Sequence, residues 1–211
     1  MFGLSDGLVS NSALVLGVAV GADSGTVLLA GVAGLLAGAA SMAAGEWISM
    51  TAQREALEQE LAREQDHLDR YPEDERSHIE AILVQAGLTA ETAGRVSEEL
   101  SDKPGANLDF HARVELGIDP EELGSPTLAA VASFVAFGIG ALVPLIPWVL
   151  PLGSPMLLTG ILSGLALFAA GAGLSRFTTR GALYSGTRQL LVGVVAAALT
   201  MTIGGLIGVS V

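Results

Sequence analysis

The 211-residue sequence contains no cysteine, and its basic residues are few: 10 Lys and Arg stand against 22 Asp and Glu. Without cysteine there is no disulfide framework and no thiolate metal site, so any metal must be bound through oxygen and nitrogen. The formal net charge of −12 argues against nucleic acid as a partner, because phosphate binding needs a basic surface, and it favours cations. Charged residues make up only 15% of the chain, which is typical of a membrane protein.

The charge is concentrated in one segment, residues 51–122, which we call the acidic block. It contains 19 of the 22 acidic residues, 7 of the 10 basic residues and all three histidines. The rest of the chain consists of five apolar segments of about 20 residues or more, each able to cross roughly 30 Å of hydrocarbon: residues 2–22, 26–50, 126–150, 156–174 and 183–211. The prediction is an all-α membrane protein with five transmembrane helices and a cytosolic helical domain inserted between the second and third. Its domains are residues 1–50 (helices 1 and 2), 51–122 (acidic, metal-binding) and 123–211 (helices 3 to 5).

Turn and capping signals divide the acidic block into four predicted helices, over residues 53–70, 72–86, 89–100 and 107–117. Nothing breaks the second span where it enters the block, so we expect one continuous helix there. Pro72 suits the first position of the next helix, Gly87 ends that helix, and Thr89 caps the third. Pro104-Gly105 is predicted to form a loop.

The distribution of Lys and Arg predicts the orientation. The turns at 23–25 and 151–155 have none, whereas the 175–188 loop has three and the acidic block has seven. By the positive-inside rule the N-terminus and the acidic block are cytosolic and the C-terminus lies outside. The first segment has Asp6 and no basic residue, which argues against a cleaved signal peptide. The spans are rich in glycine, which favours close helix contact, and we expect a homodimer that encloses a path.

Paired carboxylates and imidazoles in the acidic block form the first candidate site. Glu64 and His67 precede the Tyr71-Pro72 turn, and Glu75 and His78 follow it, each pair three residues apart on one helix face. Two such pairs on facing helices are an arrangement that binds iron or manganese in helical bundles. His111 and Glu115 add a pair at i, i+4. The alternative is that these pairs arise by chance in a block with so many carboxylates.

Polar residues in the first two spans form the second candidate site. Asp6 and Asn11 interrupt the first span, and Met42 and Glu46 lie one turn apart near the end of the second. A carboxylate inside a membrane is costly and indicates an ion path or a proton relay, unless it lies at the interface. A thioether tolerates Fe(II), although a single methionine is more often packing.

Three motifs resemble the vacuolar iron transporter family: Asp6-Gly-Leu-Val-Ser-Asn-Ser, Ser41-Met-Ala-Ala-Gly-Glu-Trp-Ile-Ser49 and His111-Ala-Arg-Val-Glu-Leu-Gly-Ile-Asp-Pro120. The resemblance spans essentially the whole chain. It implies a dimeric five-span transporter that moves Fe(II), and in some members Mn(II), out of the cytosol against protons. It also implies that Asp6, Met42 and Glu46 line the path at the dimer interface, and that Glu64, Glu75 and Glu115 collect metal.

Two features depart from the pattern that this resemblance implies. His67 and His78 stand where the family more often has glutamate, which would favour borderline metals and make the collecting site pH-sensitive near neutrality. The sequence also begins almost at the first motif, without an amphipathic lead-in.

The prediction is therefore a transporter rather than an enzyme, with no prosthetic group and with Fe2+, or Mn2+, Zn2+ or Co2+, bound as substrate. Its expected partners are these metal ions, protons and the lipid membrane, which is the plasma membrane in a prokaryote or the vacuolar membrane in a eukaryote. The alternative is a membrane-anchored di-metal oxidase or storage module that uses the Glu-x-x-His hairpin.

Overall fold

The computed structural model describes residues 2–150 and 153–208, and within them the regular structure is helical, with no strand. The predicted all-α class is therefore confirmed. The helices are α1 Phe2–Ala19, α2 Ser24–Arg70, α3 Pro72–Gln85, α4 Ala90–Ser101, α5 Pro104–Val114, α6 Pro126–Leu142, α7 Ile146–Val149, α8 Pro155–Leu174 and α9 Ala182–Gly208. Short 3-10 turns cover Val143–Leu145 and Ser175–Phe177. Part of the predicted 151–155 turn and the end of the fifth predicted span lie outside the described residues.

Five helical segments of the described chain are long and apolar enough to cross a membrane, with mean hydropathy between 1.3 and 2.3. They are Phe2–Ala19, Ser24–Arg70, Pro126–Val149, Pro155–Phe177 and Ala182–Gly208. Contacts divide the chain into two compact units. The membrane unit comprises residues 1–47 and 127–211, and the acidic unit comprises residues 48–126.

Close backbone contact between α1 and α6 organises one side of the membrane unit. A Cβ on Gly7 would overlap the carbonyl oxygen of Phe137, and a Cβ on Gly140 would overlap that of Leu4. Only glycine at both positions lets the two helices approach this closely. Beside the contact, the buried side chains of Ala39, Phe137 and Ala141 pack together. This contact fixes the orientation of α1, and with it the direction in which its candidate path residues lie.

The third predicted span does not continue as one regular helix. α6 ends at Leu142, and a 3-10 turn containing Pro144 leads into the short helix α7. Prolines lack the N–H that would continue the helical hydrogen bonds, which leaves carbonyl oxygens without partners. Thr159 of α8 provides a hydrogen-bond donor in this stretch, because its buried hydroxyl donates to the Pro144 carbonyl oxygen at 3.1 Å. The same hydroxyl accepts a hydrogen bond from Trp148 Nε1 at 2.9 Å.

The acidic unit follows the predicted capping signals with one correction. Pro72 is the first residue of α3, Gly87 ends it with φ +103°, and the Thr89 hydroxyl accepts from Thr92 N at 3.3 Å. The prediction of a loop at Pro104-Gly105 is wrong, because α5 begins at Pro104. Proline has a helical φ and needs no hydrogen-bond acceptor at this first position, so it starts the helix rather than preventing it. The predicted uninterrupted helix from the second span into the block is confirmed by α2.

Candidate metal sites

The four residues predicted to line a transport path share one cavity of the membrane unit. This cavity, of about 470 Å³, lies between α1, α2 and α6, and we call it the path cavity. Its walls include Asp6, Asn11, Met42 and Glu46, together with Phe2, Ser10, Leu14, Gly34, Gly38, Ser41, Gly45 and Phe137. The structure therefore places side chains from the first two motifs against the same space.

Helical spacing explains why these side chains converge. Asp6, Ser10 and Leu14 recur every four residues on α1, and the lining residues of α2 from Gly34 to Glu46 follow one helix face. Three of those α2 positions are glycines, so the face has little side-chain volume. Leu14 packs where a side chain at Gly34 would lie, Phe137 packs against Gly38, and the space beside Gly45 is open.

Asn11 is the buried polar residue of the path cavity. Its side chain is 2% exposed, and Nδ2 donates to the main-chain carbonyl oxygen of Ala141 on α6 at 2.6 Å. The other end of the amide, Oδ1, is buried and has no hydrogen-bond donor. A buried oxygen without a partner is costly, and it is also a suitable ligand for a hard cation. The hydrogen bond to Ala141 fixes the direction in which this oxygen points.

The two carboxylates of the path cavity have no basic partner. No ion pair to Asp6 or Glu46 is present among residues 2–150 and 153–208. The membrane unit has a third carboxylate, Asp23, which instead caps α2 by accepting from Gly25 N at 2.8 Å and Thr26 Oγ1 at 2.8 Å. Asp23 is therefore structural, whereas Asp6 and Glu46 leave a cavity with uncompensated negative charge.

A second cluster lies in the acidic unit, and we call it the Glu64 cluster. It consists of Glu64 from α2, His111 from α5 and Glu115 just after α5, with potential ligand atoms all within 4.8 Å of one another. His111 Nδ1 lies 2.9 Å from Glu64 Oε1 and 3.0 Å from Glu115 Oε2. His111 is 1% exposed and Glu64 is 9% exposed. One oxygen-rich and partly buried group of three thus offers both carboxylate and imidazole ligands.

Hydrogen bonding within the Glu64 cluster is incomplete. A single imidazole nitrogen carries at most one hydrogen, so His111 Nδ1 cannot donate to both neighbouring carboxylates. Its hydrogen bond is with Glu115, and Glu64 Oε1 is buried without a donor. His111 Nε2 is also buried without a partner. Buried polar atoms are normally satisfied, and a cation beside His111 Nδ1 would satisfy Glu64 Oε1, although it would not reach Nε2 on the other edge of the ring.

Burial also changes the acidity of Glu64. Loss of hydration raises the pKa of this carboxyl above its ordinary value, and the negative charges of Glu115 and Glu75 raise it further. His111 acts in the opposite direction. The ionised carboxylate is therefore disfavoured until positive charge is supplied, which a metal ion would do.

The remaining predicted ligands lie around the cluster. The two Glu-x-x-His pairs are predicted to face each other across the Tyr71-Pro72 turn, and His67 Nδ1 of the first pair lies 3.9 Å from Glu75 Oε1 of the second. His78 Nε2 instead lies 3.4 Å from Glu115 Oε1. The side chains of His67 and His78 are 59% and 51% exposed. Sequence spacing did not predict that Glu64 meets His111, because this contact joins two helices that are distant along the chain. The only local signal was the i, i+4 spacing of His111 and Glu115.

The chain is similar to known proteins over nearly its whole length. The VIT family matches the chain over residues 1–205. Vacuolar iron transporter 2 of Oryza sativa subsp. japonica is 34% identical over 94% of this chain and 82% of the relative. Vacuolar iron transporter 1 of Eucalyptus grandis is 33% identical over 94% of this chain and 81% of the relative, and the vacuolar iron transporter of Acanthamoeba castellanii is 30% identical over 95% and 77%. The chain belongs to the VIT family.

Proposed function

We propose that this protein exports divalent metal, foremost Fe2+, from the cytosol across its membrane in exchange for protons. The observation that carries the proposal is the path cavity, in which, within the described part of the chain, Asp6 and Glu46 have no basic partner and Asn11 Oδ1 has no donor. Family membership and the names of the relatives support a membrane transporter of iron or another metal. The direction, the proton exchange and the individual residue roles are the proposed steps.

Charge compensation explains how the path cavity would take a metal ion. A divalent cation entering a low-dielectric region is stable only beside fixed negative charge. Asp6 and Glu46 supply two charges in each chain, and a homodimer would supply four around its axis. Asn11 Oδ1 adds a neutral oxygen ligand, and the soft Met42 thioether favours a borderline metal over a hard one.

Proton exchange follows from the same carboxylates. A carboxylate that binds a metal must be deprotonated, so metal and protons compete for Asp6 and Glu46. Metal arriving from the cytosol releases protons, and protons arriving from the other side release the metal. The same groups thus support antiport without a separate coupling residue.

The Glu64 cluster is proposed to collect metal in the cytosol. The acidic block has most of the negative charge of the chain, which raises the local cation concentration. Glu64, His111 and Glu115 would bind first, with Glu75, His67 and His78 around them. Imidazole ligands suit Fe2+, Co2+ and Zn2+ better than a site of carboxylates alone, so the collecting site would accept more than iron and Mn2+.

The proposed topology has five spans, with the N-terminus and residues 51–122 in the cytosol and the C-terminus outside. It rests on the five apolar helical segments and on the distribution of Lys and Arg. The membrane is the plasma membrane in a prokaryote and the vacuolar membrane in a eukaryote.

Metal uptake into proteoliposomes tests the proposal. Fe2+, Mn2+, Co2+ and Zn2+ are supplied outside, with and without a pH gradient, and internal metal and pH are followed together. Asp6→Asn and Glu46→Gln should each abolish uptake while leaving metal binding to the acidic unit intact. Asp23→Asn is the matched control, because it removes the third carboxylate of the membrane unit but retains a side chain that caps helices. Uptake at the native rate by either path variant would show that its residue is not part of the path. Uptake without proton movement would contradict the proposed antiport.

The di-metal oxidase is not retained as a second function. It needs His67 and His78 as ligands of a protected di-metal site, whereas both side chains are more than half exposed and Glu64 lies 2.9 Å from His111 instead. The relatives are named as transporters.

A further inference from the structure

The loop between α8 and α9 forms a surface that metal transport does not explain. All residues from 176 to 184 are exposed. Three of them are large and apolar or aromatic: Phe177 is 79% exposed, Leu183 is 74% exposed and Tyr184 is 57% exposed. This exposed segment also contains Arg176 and Arg180, and we call it, with Arg188, the arginine loop.

Two of the arginines are placed around one aromatic ring. The guanidinium carbon of Arg180 lies 5.7 Å from the centroid of the Tyr184 ring, and that of Arg188 lies 6.0 Å from it. Tyr184 and Arg188 are one helical turn apart on α9, whereas Arg180 lies two residues before the helix begins and reaches the same ring from the loop. Cation–π contact holds both guanidinium groups close to the same ring.

No carboxylate of the described chain balances this charge. Arg176, Arg180 and Arg188 form no ion pair there, and the sequence has no Asp or Glu after Glu122. Two positive charges that share one ring repel each other, so an anion between them would lower their free energy. The positive-inside rule explains the sign of the charge, but it does not require two arginines to share a tyrosine.

We propose that the arginine loop binds the headgroup of an anionic phospholipid. Arg180 and Arg188 would donate to the phosphate, because guanidinium groups bind phosphate oxygens in a bidentate manner. Phe177, Leu183 and Tyr184 favour a lipid over a soluble anion, since such side chains are stable at the boundary between headgroups and acyl chains. The proposal requires only that the protein resides in a membrane, and it holds whichever ion is transported.

Lipid preference of the purified full-length protein tests the proposal. The probe is phosphatidylglycerol against phosphatidylcholine in mixed micelles, with retained lipid measured by native mass spectrometry. The wild type should prefer phosphatidylglycerol, and Arg180→Gln with Arg188→Gln should lose about fivefold of that preference for each arginine removed. Arg180→Lys with Arg188→Lys retains the charge but loses the bidentate guanidinium geometry, so its preference should lie between those of the wild type and of the glutamine variant.

Arg63→Gln with Arg70→Gln is the matched control, because it removes two exposed arginines that pair with Glu60 and Asp66 in the acidic unit. These changes should leave the lipid preference unchanged. Equal preference in the wild type and the Arg180→Gln/Arg188→Gln variant would overturn the proposal, as would a loss in the lysine variant as large as in the glutamine variant. If the wild type shows no preference for phosphatidylglycerol, the lipid proposal is overturned. Competition by inorganic phosphate as strong as by phosphatidylglycerol would overturn it as well.

Discussion

His111 Nδ1 lies 2.9 Å from Glu64 Oε1, yet it makes its hydrogen bond with Glu115, so the buried Glu64 oxygen has no donor. Most buried polar atoms in proteins have a hydrogen-bond partner, so this exception needs an explanation. Because burial raises the pKa of Glu64, the metal-free protein keeps an ionised carboxylate there only at a cost in stability. A bound cation would remove that cost, which makes the cluster testable through stability as well as through binding.

The first prediction is that Glu64→Gln stabilises the metal-free protein at neutral pH. The folded-state pKa of Glu64 lies above its unfolded value, so the protonated carboxyl is favoured by folding. Its stabilising contribution is present in full below the unfolded pKa and is lost as the pH rises through the folded pKa. The variant should therefore exceed the wild type in thermal midpoint at neutral pH in chelator, and this advantage should shrink as the pH is lowered.

The matched control for this prediction is Glu99→Gln. Lys103 donates to Glu99 at 2.8 Å and lowers the pKa of that carboxyl, which gives a linkage of the opposite sign. Glu99→Gln should therefore bring no gain in stability at neutral pH. A metal-free Glu64→Gln protein that melts below the wild type at neutral pH would contradict the assigned cost of burying Glu64.

The second prediction concerns the relative importance of the three histidines for metal binding. His111→Ala should weaken Zn2+ or Fe2+ binding at least about 10-fold, since even groups outside the first ligand shell cost 10- to 100-fold when removed. His67→Ala with His78→Ala should have a smaller effect, because both side chains are more than half exposed. Calorimetry of the full-length protein in detergent measures both, and binding of all variants should weaken as the pH falls because protons compete for the ligands. A larger loss in the double variant than in His111→Ala would indicate that His67 and His78 are the main imidazole ligands, as the Glu-x-x-His spacing predicts.

The third prediction concerns the contact between α1 and α6. Gly140→Ala should lower thermal stability and metal uptake, because the added methyl overlaps the Leu4 carbonyl oxygen and pushes α1 away from α6. Gly138→Ala is the control on the same helix, since its added methyl meets nothing within 4 Å. The control should be neutral or slightly stabilising, because alanine favours the helix by about 1 kcal/mol over glycine. Equal loss in both variants would contradict the prediction, because Gly138 has no close neighbour for the added methyl to meet and helix propensity would favour alanine at both positions.

Local signals in the sequence predicted the helices well and the Glu64 cluster only in part. Pro72, Gly87 and Thr89 act within one helical turn of themselves, so their effects follow from the neighbouring residues alone. Pro104 has the same chemistry as Pro72, and the sequence-based prediction erred by treating it as a loop signal. The contact between Glu64 and His111 depends on how α2 and α5 pack, which no local spacing specifies.

The residues of the path cavity were easier to single out from the sequence than those of the Glu64 cluster, because charged residues are rare in apolar spans. Asp6 and Glu46 are two of only three acidic residues outside the acidic block, so polarity alone distinguishes them there. Glu64 is one of 19 carboxylates within the block, and only burial distinguishes it from the others. The sequence likewise could not predict that the Asn11 side-chain oxygen is buried without a donor, because this depends on the hydrogen bond to Ala141 on another helix.

The last prediction separates the two ends of the Asn11 amide. Asn11→Ala removes both the 2.6 Å hydrogen bond to the Ala141 carbonyl oxygen and the oxygen that faces the path cavity. Asn11→Asp also removes the donor, but it keeps an oxygen at the cavity wall. If that oxygen binds the metal, uptake into proteoliposomes should fall about 10-fold or more in Asn11→Ala and clearly less in Asn11→Asp.

Ser10→Ala is the matched control for Asn11, because Ser10 lines the same cavity while its hydroxyl donates to the Asp6 carbonyl oxygen at 2.7 Å. Its uptake should stay near the native rate. The thermal midpoint gives an independent reading of the structural bond: both Asn11 variants should be less stable than the wild type, since both lose the donor to α6. If uptake instead follows stability, so that Asn11→Asp and Asn11→Ala lose transport equally, Asn11 serves only to hold α1 against α6 and is not a ligand of the path.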